Sequence, residues 1–381
     1  MNPSEYIGLP KEQLDTPSLL VDLDALQFNI DRMAAHFRAA GKHLRPHIKS
    51  HKTPAIALKQ LEAGAIGITC AKLGEAEVMA DAGIRDILIA NEVVGHRKVP
   101  RLMELARRCD IMVAVDAEEN LAELARAAGD AGVKPRILVE VNIGHDRAGT
   151  TSAARTVELC RLVASARHLR WCGIMGYEGH VVDLEDATAR EQGARECLDR
   201  LVAARAALEA AGLQPEIVSS SATGDYYVTT TYAGITEVQA GSYALMDAAY
   251  GRLGLGFRNA LTCLVTVTSR PSPEHVITDA GLKTLAPEHG LPGIVLPEGW
   301  DGPDAARVDP RGLRFLEFWK LSEEHGRLLQ KGGECTLKLG DTLEFIPGHV
   351  CTTMNLHDEV YAIRGGRVAA VWPISARGKV R

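Results

Sequence analysis

Eight short runs of β-branched and apolar residues recur between residues 45 and 241, each ending in polar or small residues, with helical stretches between them. They are RPHIKS (45–50), IGITCA (66–71), DILIAN (86–91), DIMVAVD (110–116), RILVEVN (136–142), WCGIMGYE (171–178), EIVSSS (216–221) and TEVQAG (236–241). The segments between them, such as TPAIALKQLEAG and AEENLAELARAAGDAG, carry apolar residues at helical spacing. Their closing glycines fit left-handed C-caps. Such alternation builds a parallel sheet faced by helices, either a closed (β/α)8 barrel or an open doubly wound sheet. The count of eight, with no GxGxxG after the first run, favours the barrel. Beyond about residue 255 the pattern changes: LTCLVTVTSR, EHVITDAGLK, TLEFIPGH, EVYAIRGG and RVAAVWPIS read as strands joined by Gly, Pro and Asp turns. TPSLLVDLDAL (16–26) is also strand-like and precedes a helix. The expected division is therefore a barrel over 27–255 and a β-domain of 1–26 plus 256–381.

Composition narrows the classes of function. With 381 residues, 46% of them hydrophobic, and a mean hydropathy of -0.05, the chain can bury one large core and a smaller one. Lys and Arg number 43 against 49 Asp and Glu, a net charge of -6, and no block is basic, which argues against a nucleic-acid partner. No apolar run reaches the roughly 18 residues of a membrane span. The N-terminal segment MNPSEYIGLPKEQLDTPSLL lacks the basic and apolar regions of a secretory signal. Eight cysteines without a CxxC pair read as reduced thiols. Together these features point to a cytoplasmic enzyme.

In a barrel the chemistry sits at the C-terminal ends of the strands and in the loops beyond them. There the order of runs places Lys49, Asn91, Asp116, Arg147, Tyr177, the Ser219–Gly224 stretch, and Gln239 with Gly241. Lys49 is flanked by His47, His51 and Lys52. A desolvated amine beside other cations loses its proton more readily, as a Schiff-base lysine must, whereas a solvated rim lysine is the plainer alternative. Alternation along RPHIKS would put His47 and Lys49 on one side. Ser219-Ser220-Ser221-Ala222-Thr223-Gly224 and Gln239-Ala240-Gly241-Ser242-Tyr243 are small and hydroxylic, and they lie where barrels commonly bind phosphate. A lysine at one end and a phosphate loop at the other describe pyridoxal phosphate held at both ends. A second candidate is His349 with Cys351, which alternation along an extended segment would put on one face as a pair of metal ligands. Imidazole plus thiolate favours zinc over magnesium, although manganese or magnesium would remain open. A buried Cys beside a hydrogen-bonded His is the alternative.

Nine motifs in order carry a resemblance along nearly the whole chain. They are Asp15-Thr16-Pro17, Arg45–Lys52, Asn91-Glu92-Val93-Val94-Gly95, Gly144–Gly149, Gln239–Tyr243, Asp279–Lys283, Glu324-His325-Gly326, His349–Cys351 with Asn355–Asp358, and Ile374–Gly378. On these the sequence resembles the fold-type III pyridoxal-phosphate enzymes, and within them the D-threonine aldolase / D-serine dehydratase-like group built on the alanine racemase N-terminal domain. The resemblance implies a barrel followed by a β-domain, with Lys49 holding the cofactor, Arg147 near its phenolic oxygen and Tyr177 beside its ring. It further implies that Ser221, Thr223, Gly224, Gly241 and Ser242 cradle the phosphate, that Gln239 and Tyr243 belong to the same wall, and that His349 and Cys351 hold the metal.

The expected activity is that of a pyridoxal-phosphate- and metal-dependent lyase acting on a small D-β-hydroxy-α-amino acid. Retro-aldol cleavage would give glycine and an aldehyde; dehydration, as in D-serine or D-3-hydroxyaspartate dehydratases, would give ammonia and a 2-keto acid. The two diagnostics conflict. D-threonine and hydroxyaspartate aldolases usually carry His-x-Asp where this chain has His349-Val350-Cys351, yet Asn355–Asp358 and Ile374–Gly378 look like the aldolase branch. The flanks cover more residues and favour the aldol reading. A racemase would need a second acid or base facing Lys49 and no metal. A homodimer is the assembly the resemblance implies.

Overall fold

The computed structural model describes residues 3–381 and divides into two units. One comprises residues 30–243 with 378–381, the other residues 3–29 with 244–377. Strand β1 (Ser18–Asp22) and helix α1 (Leu23–Ala40) open the chain. Eight strands come next: β2 (His43–Leu44), β3 (Ile68–Cys70), β4 (Asp86–Glu92), β5 (Asp110–Val115), β6 (Arg136–Glu140), β7 (Arg170–Met175), β8 (Ile217–Ser220) and β9 (Glu237–Val238). Between them run α2 (Pro54–Glu62), α3 (Leu73–Asp81), α4 (Lys98–Ala106), α5 (Glu118–Ala131), α6 (Ala153–Ser165) and α7 (Ala187–Ala210). The helices start and stop where the side chains allow. Ser152 and Asp186 cap α6 and α7 through their side-chain oxygens, and Gly132, at φ +67°, ends α5.

All eight strands are parallel, in the order β2-β9-β8-β7-β6-β5-β4-β3. The sheet is curled, and its two ends meet. Ile66 N–H donates to the Leu44 carbonyl at 3.0 Å and Thr69 N–H to that of Pro46 at 2.8 Å, with a parallel bridge between His47 and Thr69. Side chains inside and outside the sheet are covered, which is why runs such as RILVE are apolar without alternation. Leu88, Met112, Ala114, Leu138, Cys172 and Met175 form one buried cluster. The fold is the expected (β/α)8 barrel with a β-domain. The first run needs correction: the strand lies just before it, at His43–Leu44, and from Ile48 the chain tightens into a 3-10 turn, Ile48–Ser50.

The second unit is a mixed sheet of β1 with β10 (Leu261–Ser272), β11 (His275–Thr278), β12 (Gly293–Ile294), β13 (Leu316–Leu321), β14 (Gly326–Gln330), β15 (Thr342–Ile346), β16 (Glu359–Arg364) and β17 (Arg367–Pro373). Within it, β1 lies antiparallel to β10 and parallel to β16. The β13–β14 hairpin was not legible in the sequence. Half of β13 is exposed and β14 is only half-buried, so no clean alternation marks the pair. Among the described residues, no helix is long and apolar enough to cross a membrane. All eight cysteines are free, and only Cys351 is not buried.

Arg45 crosses the barrel's closure. It is 1% exposed. Its Nε reaches both oxygens of Glu237 at 3.2 Å, and its Nη1 lies 2.6 Å from Asp86, which also pairs with Arg136. A Cβ at Gly67 would sit 2.3 Å from that guanidinium, so glycine is needed there. Arg45→Met strands a buried Glu237 and should lower the unfolding free energy by about 3–5 kcal/mol. Denaturant titration measures this, and a cost well under ~1 kcal/mol would remove Arg45 from that role.

Candidate active site

Lys49 stands in the middle of the Ile48–Ser50 turn, just past the barrel seam. The imidazole of His47 caps the turn by accepting the Lys49 N–H at 3.4 Å, and Ser50 Oγ donates to the His47 carbonyl at 3.3 Å. Burial, reinforced by Lys49, Lys52 and Arg147, holds His47 well below the usual histidine range, so the ring is neutral. Burial likewise pushes His51 down to about 4. Lys52 is paired with buried Glu75, whose other oxygen accepts the Ala71 N–H at 2.7 Å. Of the cations in this motif, Lys52 and Arg45 are therefore structural. The alternation that linked His47 to Lys49 does not hold, because a turn replaces the strand; the capping bond links them instead.

The loops after β6 and β7 meet around Tyr177. Lys49 Nζ lies 5.3 Å and Arg147 Cζ 5.1 Å from its ring centroid. His145 packs edge-on against the same ring at 5.5 Å and stacks on His180 at 5.8 Å. Asn142 shapes this loop by accepting the Gly144 N–H and donating to Asp146. Arg147 pairs with Glu140 at 3.5 Å. Burial and the neighbouring Glu92 push Glu140 up to about 8, against the pull of Arg147. Burial, with Arg147 next, lowers His145.

The Ser219–Gly224 and Gln239–Tyr243 stretches form a buried wall at the ends of β8 and β9. Thr223 Oγ1 accepts the Tyr243 N–H at 3.0 Å, and Gln239 Nε2 donates to Ser219 Oγ at 2.9 Å. The Tyr243 hydroxyl turns away from the wall to accept from Gln60. Among the described residues, nothing accepts the backbone N–H groups of Thr223, Gly224, Gly241 or Ser242. Unsatisfied N–H groups beside hydroxyls suit a phosphate. Gly241 is required by a close approach, since a Cβ there would lie 2.2 Å from the His47 carbonyl oxygen.

His349 and Cys351 belong to the other unit. Their segment is not extended: His349 caps a short helix, Val350–Met354, that contains Cys351. The alternation argument for the pair therefore falls, while its donor chemistry stands. His349 Nδ1 is 2.6 Å from a Glu288 oxygen, and Thr352 Oγ1 donates to the same atom. A carboxylate on Nδ1 is the usual outer partner of a ligating histidine, and it leaves Nε2 as the nitrogen a cation could take. Among the described residues, no three His, Cys, Asp or Glu side chains converge as a metal cage, so any cation here would rest on fewer protein ligands.

A (β/α)8 barrel followed in sequence by a mixed-sheet unit is the fold of the fold-type III pyridoxal-phosphate enzymes. The sequence matches the alanine racemase N-terminal domain over residues 21–249 and the putative serine dehydratase domain over residues 260–363. The chain belongs to this family and stands among its pyridoxal-phosphate-dependent lyases. It is 36% identical to 3-hydroxy-D-aspartate aldolase of Paracoccus denitrificans (strain Pd 1222), covering 98% of this chain and 94% of that one. It is 37% identical to D-threonine aldolase of an Arthrobacter species, over 99% and 96%. The crystal structure of D-threonine aldolase from Filomicrobium marinum superposes with a TM-score of 0.91 at 37% identity, over 98% of this chain and 99% of that one. D-threo-3-hydroxyaspartate dehydratase of Delftia sp. (strain HT23) is more distant, at 30% identity over 89% and 92%.

Several polar residues at the site went unassigned in the sequence: His145, His180, Glu140, Glu178 and Asp225. His180 could have been found, since it lies three residues past Tyr177 on the same strand-end loop. The acids could not, because only the fold shows that they are buried. Gly241→Ala should press on the Lys49 turn through His47 and cut the cofactor content of purified protein several-fold. The accompanying loss of stability should be only about 1–3 kcal/mol. Absorbance of the released cofactor beside a denaturant titration checks this, and full occupancy would misplace the cup.

Proposed function

We propose that the chain cleaves D-β-hydroxy-α-amino acids by retro-aldol reaction, giving glycine or an analogue and an aldehyde. The observation that carries this reading is the similarity to aldolases at 36–37% identity over nearly the whole chain, against 30% for the dehydratase. Lys49 would hold the cofactor, Tyr177 and Arg147 would flank it, and Ser221, Thr223, Gly224, Gly241 and Ser242 would take its phosphate. Pyridoxal phosphate, when bound, supplies the electron sink for the pair left on Cα. His349 Nε2 and the Cys351 thiolate would hold a divalent cation, zinc by their donor softness, which supplies a Lewis acid toward the substrate hydroxyl.

The chain's own groups then have to move protons. The substrate hydroxyl loses one, the Cα–Cβ bond breaks to release the aldehyde, and Cα regains one to give glycine. His145 suits the accepting role: its Nδ1 is buried without a protein partner, and its lowered pKa keeps the ring neutral. Protonated in that step, His145 can give the proton back to Cα. His47 stays neutral: its Nδ1 accepts the Lys49 backbone N–H, so its other nitrogen carries the ring proton and serves as a hydrogen-bond donor. Dehydration to ammonia and a 2-keto acid is the second reading, favoured by Cys351 standing where aldolases usually carry Asp.

Incubation with D-threonine, D-3-hydroxyaspartate and D-serine, with mass spectrometry of the products, separates the two. Glycine plus aldehyde is the expected outcome, and ammonia with a keto acid and no glycine would replace the aldolase reading. Borohydride should fix the cofactor to the peptide containing Lys49, and labelling of another lysine would end that assignment. Chelation should abolish turnover while leaving the visible cofactor band in place. Full activity with metal analysis showing an empty site would remove the metal role of His349 and Cys351.

A further inference from the structure

Glu178 and Asp225 are both fully buried in the barrel unit and take no part in the proton transfers above. Glu178 comes directly after Tyr177, and Asp225 closes the Ser219–Gly224 wall. One oxygen of each is well supplied with donors. Glu178 Oε2 accepts from Ser220 Oγ at 2.9 Å and from Ser221 N–H at 3.3 Å. Asp225 Oδ1 accepts from Ser221 Oγ at 2.7 Å and from Ala222 N–H at 3.1 Å. The remaining oxygens, Glu178 Oε1 and Asp225 Oδ2, are buried and receive no donor from any other residue. Both carboxylates accept from Ser221, one from its N–H and one from its hydroxyl, so they flank the same residue. Two bare anions held this close in a buried site repel, and one proton held between them removes that repulsion and gives the orphaned oxygens a partner.

We infer that Glu178 and Asp225 share one proton and act together as a latch that positions the phosphate cup. This rests on the cofactor reading above. The latch works through Ser221, which stands at φ +78°, in the left-handed region that a serine rarely occupies. Three of the four bonds from the pair land on Ser221 and Ala222 and hold that conformation in place. With the Ser221 and Ala222 N–H groups engaged by the acids, those of Thr223 and Gly224 are left for an anion. Both acids are positioning residues, touching the loop and not the substrate.

The neighbours leave the pair without a countercharge of its own. From α7, the Cys197 thiol faces both acids, and burial together with Glu178 pushes it up to about 11. Arg190 of the same helix gives its Nε to the Gly224 carbonyl at 3.2 Å, and Arg200 gives its Nη1 to that of Ile143 at 3.2 Å. His180 lies 3.8 Å from the Cys197 sulfur. Burial, with Asp225 next, holds Glu178 well above the usual carboxylate range, so the shared proton leaves only as the pH rises well past the point at which a free carboxylate ionises. Its loss puts a second negative charge behind the cup. The ligand phosphate does not change in that range, because its second ionisation lies near pH ~6.

The test titrates apoprotein with pyridoxine 5′-phosphate from neutral to strongly alkaline pH. This probe carries the phosphate but no aldehyde, so it cannot bond to Lys49. Wild-type affinity should fall by roughly tenfold or more across an alkaline step. In Glu178→Gln, whose amide keeps the shape of the carboxyl, can donate toward Asp225 and cannot ionise there, that step should vanish. Titration of the probe itself is common to both proteins and cancels in their ratio. Should Glu178→Gln fold poorly, Asp225→Asn keeps one charge on the pair without a shared proton and should lose the step in the same way. An unchanged step in the variants, or none in the wild type, overturns the latch. Wild type that binds neither this probe nor pyridoxal phosphate at neutral pH overturns the cofactor reading, and the latch with it.

Discussion

One buried guanidinium reinforces the few backbone bonds that close the barrel. Arg45 belongs to the end of β2, yet its side chain reaches Glu237 on β9 and Asp86 on β4, and its carbonyl accepts the Thr69 hydroxyl on β3. A sheet whose ladder runs from β2 round to β3 needs its two ends tied, and backbone bonds at that seam are few. A charge buried this deeply is tolerable only with partners on both sides, so its desolvation penalty becomes a requirement for closure. Lys49 lies four residues further on. Where that amine stands is therefore decided by the seam before any ligand is considered.

From the seam onward, the site is built of turns and not of strand faces. The strands are short and interchangeable in their apolar character, and they act as a rigid ring. Chemistry is carried by the segments at their C-terminal ends: a 3-10 turn at Lys49, the Asn142-braced loop with His145 and Arg147, the Tyr177–His180 loop, and the strained start of the Ser221–Gly224 loop. Each is closed by side-chain-to-backbone bonds, which set positions more sharply than packing alone would.

This division decides how far the sequence could be read. The eight barrel runs, the early strand that joins the late sheet, and the lysine, arginine and tyrosine that meet at one ring all lie in strands or at their ends, where hydrophobic pattern and topology suffice. The conformation of the loops is another matter. Alternation placed His47 beside Lys49 and His349 beside Cys351 by assuming extended chain, and both segments are turned or helical. In each case the local hydrogen bonds of short polar segments override the period-two pattern. Glu178 and Asp225 escaped notice for a related reason. An acidic residue in a loop is ordinarily solvated, and only the closed fold reveals that these two are not.

The place of β1 between β10 and β16 has a consequence for how the molecule is made. Strand β1 leaves the ribosome well ahead of β16 and cannot complete its pairing until β16 has emerged. At roughly 5–20 residues per second, that wait is on the order of 20–70 seconds. During that interval Leu19, Leu20 and Val21, all destined for full burial, have no sheet to enter. The barrel, whose neighbours are sequential, can form meanwhile. Synthesis thus separates the two units in time, and the nascent β1 is the segment on which a chaperone would have the longest hold.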